Sequence, residues 1–302
     1  MPIGLLTGLG AALCWGTLDL FSALASRRVG SLRVTTGMQV VGASLVWAAA
    51  AATGTRLSTD PFVLVGGTLV GLAGAGAYLS YFTGLRIGPI AVVSGMVAAY
   101  GGLTVVLAVV IRGETLTPVQ GAGALLATVG VVLTGISFDS GWRKTRFASP
   151  GVAFAIVALV LFATMTIVTD IVVDRAPWQE VLLVARSANA VISTIVLVLA
   201  LTVFRKLAAP MIEGEETPDG VARLDARVIW FVALSGALDV LGLASFAYGL
   251  EHAETWLVGL ASSFGPAVTI VVAVAMLGER LRPVQWVGLA GILAGMIAIG
   301  LP

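Results

Sequence analysis

Apolar runs long enough to cross a bilayer recur from one end of this chain to the other. They cover 3–25, 33–53, 61–85, 90–111, 117–137, 150–173, 180–204, 228–250, 254–277 and 283–301. Each is close to the roughly 20 residues that a helix needs to span a hydrocarbon core of about 30 Å. The pattern predicts ten transmembrane helices and an all-α integral membrane fold. Polar connections rich in turn residues separate the runs, such as Thr59-Asp60-Pro61, Gly88-Pro89 and Arg282-Pro283. Two connections are longer. Residues 138–149 divide the chain in the middle, and Arg205–Arg227, with Pro210, Pro218 and Gly220, reads as a flexible polar loop without chemistry.

One stretch is written twice. Gly113-Glu114-Thr115-Leu116-Thr117-Pro118-Val119-Gln120 returns 165 residues later as Gly278-Glu279-Arg280-Leu281-Arg282-Pro283-Val284-Gln285, with six of eight positions identical. At the same offset Gly84-Leu85 falls on Gly249-Leu250, Thr104 on Thr269, and Gly123, Gly130 and Gly135 on Gly288, Gly295 and Gly300. The chain therefore reads as an internal duplication, with five-helix units over 1–137 and 150–302 joined by 138–149. Five is odd, so the second copy enters the membrane from the opposite side and the two are inverted repeats. Secondary transporters recur on this plan, with the substrate site near the midplane between the halves. Alternating access uses that symmetry directly, which is the main argument for transport.

Composition agrees with the solvent that the pattern demands. Hydrophobic residues make up 58% of the chain and charged residues 11%, the mean hydropathy is +1.04, and the net charge is +1. No basic run is long enough for nucleic acid. The chain opens directly into an apolar stretch without a charged leader or cleavage site, which reads as a mature helix. Cys14 is the one cysteine and allows no intrachain disulfide. The one histidine, His252, lies in the short turn Glu251-His252-Ala253-Glu254. No His-rich metal site and no nucleophile–base set is visible, so neither a cofactor nor enzymatic activity is expected. The 37 glycines fit close helix packing in lipid. Gly67-x-x-x-Gly71 and Gly291-x-x-x-Gly295 mark either tight intrachain contacts or a dimer face, so the chain is expected as a monomer or a homodimer.

The doubled Gly-Glu-x-Leu-x-Pro-Val-Gln element, the Trp15-Gly16-Thr17 stretch and ten spans in two fivefold halves together resemble the drug/metabolite transporter superfamily, specifically its EamA-like ten-helix permeases. The resemblance covers essentially the whole chain. It implies a multi-pass plasma-membrane permease, often an exporter of amino acids or other small metabolites, with both termini cytoplasmic. Pro266 matches the family's helix-breaking proline in the ninth span. The fourth span has Gly101 there, after Tyr100, so a proline kink is not carried over to it.

Ionisable residues inside spans are costly and therefore functional candidates. Asp239 sits near the middle of the eighth span, and Asp19 about two-thirds along the first. Arg186 lies a turn or two into the seventh, and Asp170 in the last turn of the sixth. At about 1.5 Å per residue, Asp170 and Arg186 lie at similar depth, on the side of the membrane that holds the N-terminus. Asp170 is expected either to snorkel or to pair with Arg186, unless Arg186 reaches Asp239 instead. Asp239 needs a buried partner or a proton, which suits proton coupling or a substrate amine. Asp19 either takes a proton or lines a wet vestibule. Thr17, Gln39, Tyr78, Tyr81, Tyr100, Asn189, Trp256, Ser262 and Ser263 can complete a pocket, although Thr17 and Asp19 do not share a helix face. Gln39 and Asn189 can instead bond neighbouring helices, and Trp256 fits an interfacial aromatic belt. The residues expected to serve substrate binding or proton coupling are Asp239, Asp19, Arg186, Thr17, Tyr78, Tyr100, Asn189 and Ser263. Glu114 and Glu279 lie at helix ends on opposite membrane faces, so they read as structural turn residues.

Thirteen of the 17 Lys and Arg residues fall in connections on the side opposite the N-terminus. By the positive-inside rule that side is cytoplasmic and both termini are outside, the reverse of what the resemblance implies. The function expected is a permease moving small polar metabolites, such as amino acids or amines, by alternating access with protons as a coupling ion. The competing class is a non-transporting receptor or scaffold that retains the fold. The expected partners are a small-molecule substrate, protons and membrane lipid.

Overall fold

Prolines open the helices where a missing backbone donor costs nothing, and left-handed glycines close two of the ends. In the computed structural model, which describes residues 2–87, 93, 96–135, 150–212, 225–265, 267–268 and 283–300, the helices run as follows. The first half holds α1 (Pro2–Val29), α2 (Ser31–Thr53), α3 (Pro61–Ile87), α4 (Tyr100–Leu107) continued by a π-helical turn (Ala108–Arg112), and α5 (Pro118–Gly135). The second holds α6 (Pro150–Val173), α7 (Trp178–Thr202), α8 (Arg205–Ile212), α9 (Ala226–His252), α10 (Thr255–Ser262) and α11 (Pro283–Gly300). No strand occurs among the described residues. Each of the ten expected spans meets a helix. The extra element is α8, which occupies the start of the connection read from sequence as a flexible loop. It buries Ala208 and Ile212 against Leu32 and Ala200.

Six of these helices are long and apolar enough to cross a membrane: α1, α2, α3, α6, α7 and α9. Large apolar side chains face outward, among them Leu6, Val110, Leu125, Trp230 and Ile297, each more than 60% exposed. In water such a surface would aggregate; in a bilayer it is the surface that lipid covers.

The packing is reciprocal, as two inverted copies require. α1 packs on α9 and its counterpart α6 packs on α3, while α2 meets α7, α4 meets α10 and α5 meets α11, each against its own equivalent. Glycine makes the closest of these contacts. A β-carbon on Gly130 would sit 2.7 Å from the Gly288 carbonyl oxygen, and one on Gly295 would sit 2.6 Å from that of Gly123. Since Gly123 and Gly130 are the 165-residue equivalents of Gly288 and Gly295, the same contact is made twice. Gly67 and Gly71 of α3 likewise press on Val184, Ala185 and Ala188 of α7. Both small-residue motifs are therefore used inside the chain, and neither is a dimer face.

The two helices that cross at the centre are both broken there. Helix geometry lapses at Ala99, whose N–H turns back to the Met96 carbonyl at 3.1 Å, before α4 resumes. α10 stops at Ser262, and the Ser263 and Phe264 N–H groups bond three residues back, to Leu260 and Ala261, at 3.1 and 3.4 Å. Ala99 and Phe264 are repeat equivalents. The break in the fourth span thus forms without a proline, at Ala99 and two residues before Gly101. Gly101 serves contact instead: a β-carbon there would lie 2.2 Å from Ser263 Oγ and 3.3 Å from the Leu260 α-carbon. Pro266 and Thr269 lie outside the described residues.

Candidate functional site

A cavity lies where these broken helices meet the rest of the bundle. α1 contributes Trp15 and Asp19, one turn apart on one face, and α3 contributes Tyr78 and Tyr81. Val97, Ala98 and Tyr100 come from the break before α4 and from its first turn; Ser262 and Gly265 come from the break after α10. Phe162, Met165 and Thr166 of α6 and Phe246 of α9 close the wall. Tyr81 and Phe246, Val97 and Ser262, and Tyr100 and Gly265 are each 165 residues apart. The cavity therefore sits on the pseudo-two-fold axis. Its chemistry is unsymmetrical, because the first half brings the carboxylate and three phenols.

The walls are aromatic. Phe162 lies edge-on to Tyr78 and Tyr81, with ring centroids 5.3 and 6.3 Å apart, and 5.7 Å from Tyr100. Trp15 packs on Phe246 at 5.4 Å, seated where Gly242 leaves no side chain: a β-carbon there would be 2.7 Å from the indole nitrogen. Tyr81 donates to Asp19 Oδ2 at 2.9 Å, and the Tyr100 hydroxyl meets Ser262 Oγ at 2.9 Å.

Behind Tyr78 lies a buried ion pair. Asp239 on α9 is fully buried, and its Oδ2 is 2.6 Å from Nη1 of Arg186, which is 2% exposed on α7. The Tyr78 hydroxyl donates to Asp239 Oδ1 at 2.5 Å, and Gln39 Oε1 on α2 accepts from Arg186 Nη1. Arg186 and Asn189, one turn apart, line a second, smaller space that shares Tyr78 and Met165 with the first. Ser193 donates to Asn189 Oδ1 at 3.2 Å. Four helices thus converge on one salt bridge, which meets the requirement that a buried charge be paired and hydrogen-bonded.

Several candidates fall elsewhere. Thr17 is turned away from Asp19 and gives its hydroxyl to the Leu13 carbonyl of its own helix at 2.7 Å. Ser263 bonds the Leu260 carbonyl and packs on Gly101, so its neighbour Ser262 is the serine in the cavity. Asp170 does not meet Arg186. Its Oδ2 lies 2.5 Å from Arg112 Nε, and Arg112 also reaches Asp174 at 2.5 Å. Trp256 is not in an interfacial belt but fully buried in the core beside Leu257 and Leu260. His252 is the exposed last residue of α9 and not part of the turn, with Nδ1 2.9 Å from the Tyr248 carbonyl oxygen one turn back.

The first copy of the doubled motif is explained residue by residue. Gly113 closes the π-helical turn in the left-handed conformation, at φ 69°. Thr117 and Gln120 exchange side-chain bonds with each other's backbone N–H at 3.3 and 2.9 Å, a capping box around Pro118 at the first helical turn. Glu114 reaches into the other half. Its two carboxylate oxygens accept from the Thr255 and Trp256 N–H groups at 2.8 and 3.0 Å, capping the start of α10. Glu279–Arg282 lie outside the described residues.

Sequence reasoning missed Phe162, Met165, Thr166 and Phe246, which look like ordinary lipid-span residues. Phe246 had a signal, since it is the repeat equivalent of Tyr81; the α6 residues had none.

A solved crystal structure superposes on 98% of this chain and 96% of its own with a TM-score of 0.77 at 22% identity, a likeness of fold. Over 77 residues the chain is 29% identical to an uncharacterized protein of Methanocaldococcus jannaschii; that match covers 26% of this chain and 56% of the relative's length. A family model described as the EamA-like transporter family matches twice, over residues 2–136 and 149–301. With a helical membrane fold, reciprocal packing and a central cavity behind those two matches, this chain belongs to the EamA-like transporter family.

Proposed function

We propose that this transporter moves small polar metabolites of the amino-acid and amine kind outward across the plasma membrane, by alternating access and in exchange for protons. The moving units are residues 1–137 and 150–302. The double match of one family model supports that division, as does the reciprocal packing of α1 on α9 and α6 on α3. A central cavity between inverted halves is where alternating access needs its substrate.

The observation that carries the reading is Asp19. Its carboxylate lines the cavity, is 9% exposed, and has the Tyr81 hydroxyl as its one hydrogen-bond partner among the described residues. An ionised carboxylate in that position, without a cation, is expensive. Asp19 therefore holds a proton when the cavity is empty and exchanges it for a substrate group. The other groups around it are Tyr78 and Tyr81 of α3, Tyr100 of α4, and the Asp239–Arg186 pair of α9 and α7. That pair is already closed on itself, which supports a positioning role for Asp239 and leaves the proton to Asp19.

The test is flux in liposomes holding purified protein, with labelled amino acids and amines, with and without a pH gradient. At least one substrate is expected to move faster than in empty vesicles, and faster still with the gradient; Asp19→Asn removes the gradient's effect. Absence of flux for every substrate in both directions would refute transport and favour a receptor or scaffold.

A further inference from the structure

Within that transport reading, we propose that the cavity selects organic cations: an amine or quaternary ammonium on a single apolar ring or chain, its charge at Asp19 and its body against Trp15, Tyr81, Tyr100 and Phe162.

Charge balance around the cavity favours a cation. Two carboxylates and one guanidinium are buried around the cavity: Asp19, Asp239 and Arg186. Arg186 is closed off from a ligand in the main cavity. Asp239 Oδ2 and Gln39 Oε1 both engage its Nη1, and Tyr78 stands between the pair and the cavity with its hydroxyl committed to Asp239. What faces the occupant among the described residues is one carboxylate without a countercharge, and no described Lys, Arg or His lines the space. A bound cation takes the place of the proton that Asp19 holds in the empty cavity and keeps the site neutral. A bound anion leaves that proton in place and brings a charge with no partner into a poorly screened space. A zwitterion gains at Asp19 but brings its own carboxylate to a wall without a cation.

The walls favour the same occupant. Aromatic faces attract an ammonium through their quadrupoles, more strongly when water is excluded, and Trp15, Tyr81, Tyr100 and Phe162 all line the space that holds Asp19. Of the remaining polar atoms, the Tyr100 and Ser262 hydroxyls bond each other and the Thr166 hydroxyl bonds the Phe162 carbonyl, while the Trp15 indole nitrogen has no hydrogen-bond partner among the described residues and lies against Gly242. The site thus offers one ionic contact and a broad apolar surface, which ranks ligands by charge and hydrophobic bulk rather than by hydrogen-bond pattern. Among the described residues Arg186 Nε has no hydrogen-bond partner, and Arg186 borders the smaller space that Tyr78 also lines. A zwitterion whose carboxylate displaced Tyr78 to reach it is the rival occupant.

The experiment uses four probes with one ring and a short chain that differ in charge: phenethylamine, 2-phenylethanol, phenylalanine and 3-phenylpropanoate. Each is titrated against the full-length protein in detergent by thermal shift, since a ligand bound to the folded state raises its melting temperature, and the same four are assayed for flux in liposomes. Phenethylamine is expected to bind at least tenfold more tightly than the other three. Asp19→Asn should remove that preference, Asp19→Glu should keep it, and Tyr81→Phe, which leaves the carboxylate in place, should keep it as well. Equal or tighter binding of phenylalanine or 3-phenylpropanoate overturns the proposal. So does an amine preference that survives in Asp19→Asn, or the absence of binding by phenethylamine. Flux of neutral or zwitterionic metabolites alongside any of these outcomes leaves the transport reading standing, whereas absence of all flux removes both.

Discussion

Breaking the Arg186–Asp239 pair from one side should cost far more than removing it from both. The two groups are 2.6 Å apart, with side-chain exposures of 2% and 0%, so neither can recover by turning to solvent. Asp239→Asn keeps the shape and can still accept from Tyr78, but strands a guanidinium that cannot lose its proton. Stranding one member of a buried pair costs about 3–5 kcal/mol. Arg186→Met strands a carboxylate that can take up a proton, so its loss should fall at or below the lower end of that range. In the double variant no charge is stranded, and its cost should be at least about 3 kcal/mol less than the sum of the two singles. The assay is loss of monodisperse protein in detergent on heating. For a chain of this size about 2 °C per kcal/mol is a fair conversion, which puts Asp239→Asn about 6–10 °C below the parent and the double variant well above that sum. Additivity within about 0.5 kcal/mol would refute the reasoning, because it would mean that the pair is not an energetic unit.

Glu114 makes a second test, of a contact between the halves. Glu114→Ala leaves the Thr255 and Trp256 N–H groups without their acceptor and should lower stability by about 1–3 kcal/mol; Glu114→Gln, which keeps one acceptor oxygen, should lose less in the same melting assay. Gly101→Val forces side-chain atoms into a place where even a β-carbon would lie 2.2 Å from Ser263 Oγ, so it should abolish flux; unchanged flux would mean that the crossing of α4 and α10 is not needed for transport. A reporter active only in the cytoplasm, fused after Pro302, should be silent if the charge count holds, and activity there would favour the orientation expected from the family. The Asp170 ion pair predicts that Arg112→Ala loosens the end of α4 against α6, seen as faster amide exchange in both.

Most of the fold was legible because membrane insertion is a local property. A span is recognised by its own length and apolarity, and the ten expected spans all meet a helix. The duplication was legible as well, and its odd helix count dictated inversion before any contact was known. Depth arithmetic placed Asp239 and Arg186 within reach of each other. It could not choose between Asp170 and Asp239 as the partner, because depth along the membrane normal says nothing about which helix faces meet.

That choice belongs to the tertiary structure. Asp170 faces the end of α4 and finds Arg112, while α7 turns Arg186 inward to α9 and α2. The cavity wall is of the same kind: Tyr78 meets Asp239 161 residues away, and nothing in an apolar run distinguishes Phe162 from a lipid-facing neighbour. Glu114 shows the limit most clearly. Its place in a helix-ending turn could be read from Gly113 and Pro118, but its ligands are N–H groups 141 and 142 residues later, on the other half of the molecule. Sequence by itself determined where the ten expected spans lie, how the halves are inverted and which charges lie deep in a span. Folding in three dimensions decided which of those charges neutralise each other and left Asp19 facing the cavity without a countercharge among the described residues, because pairing depends on helix rotation and crossing rather than on position along the chain.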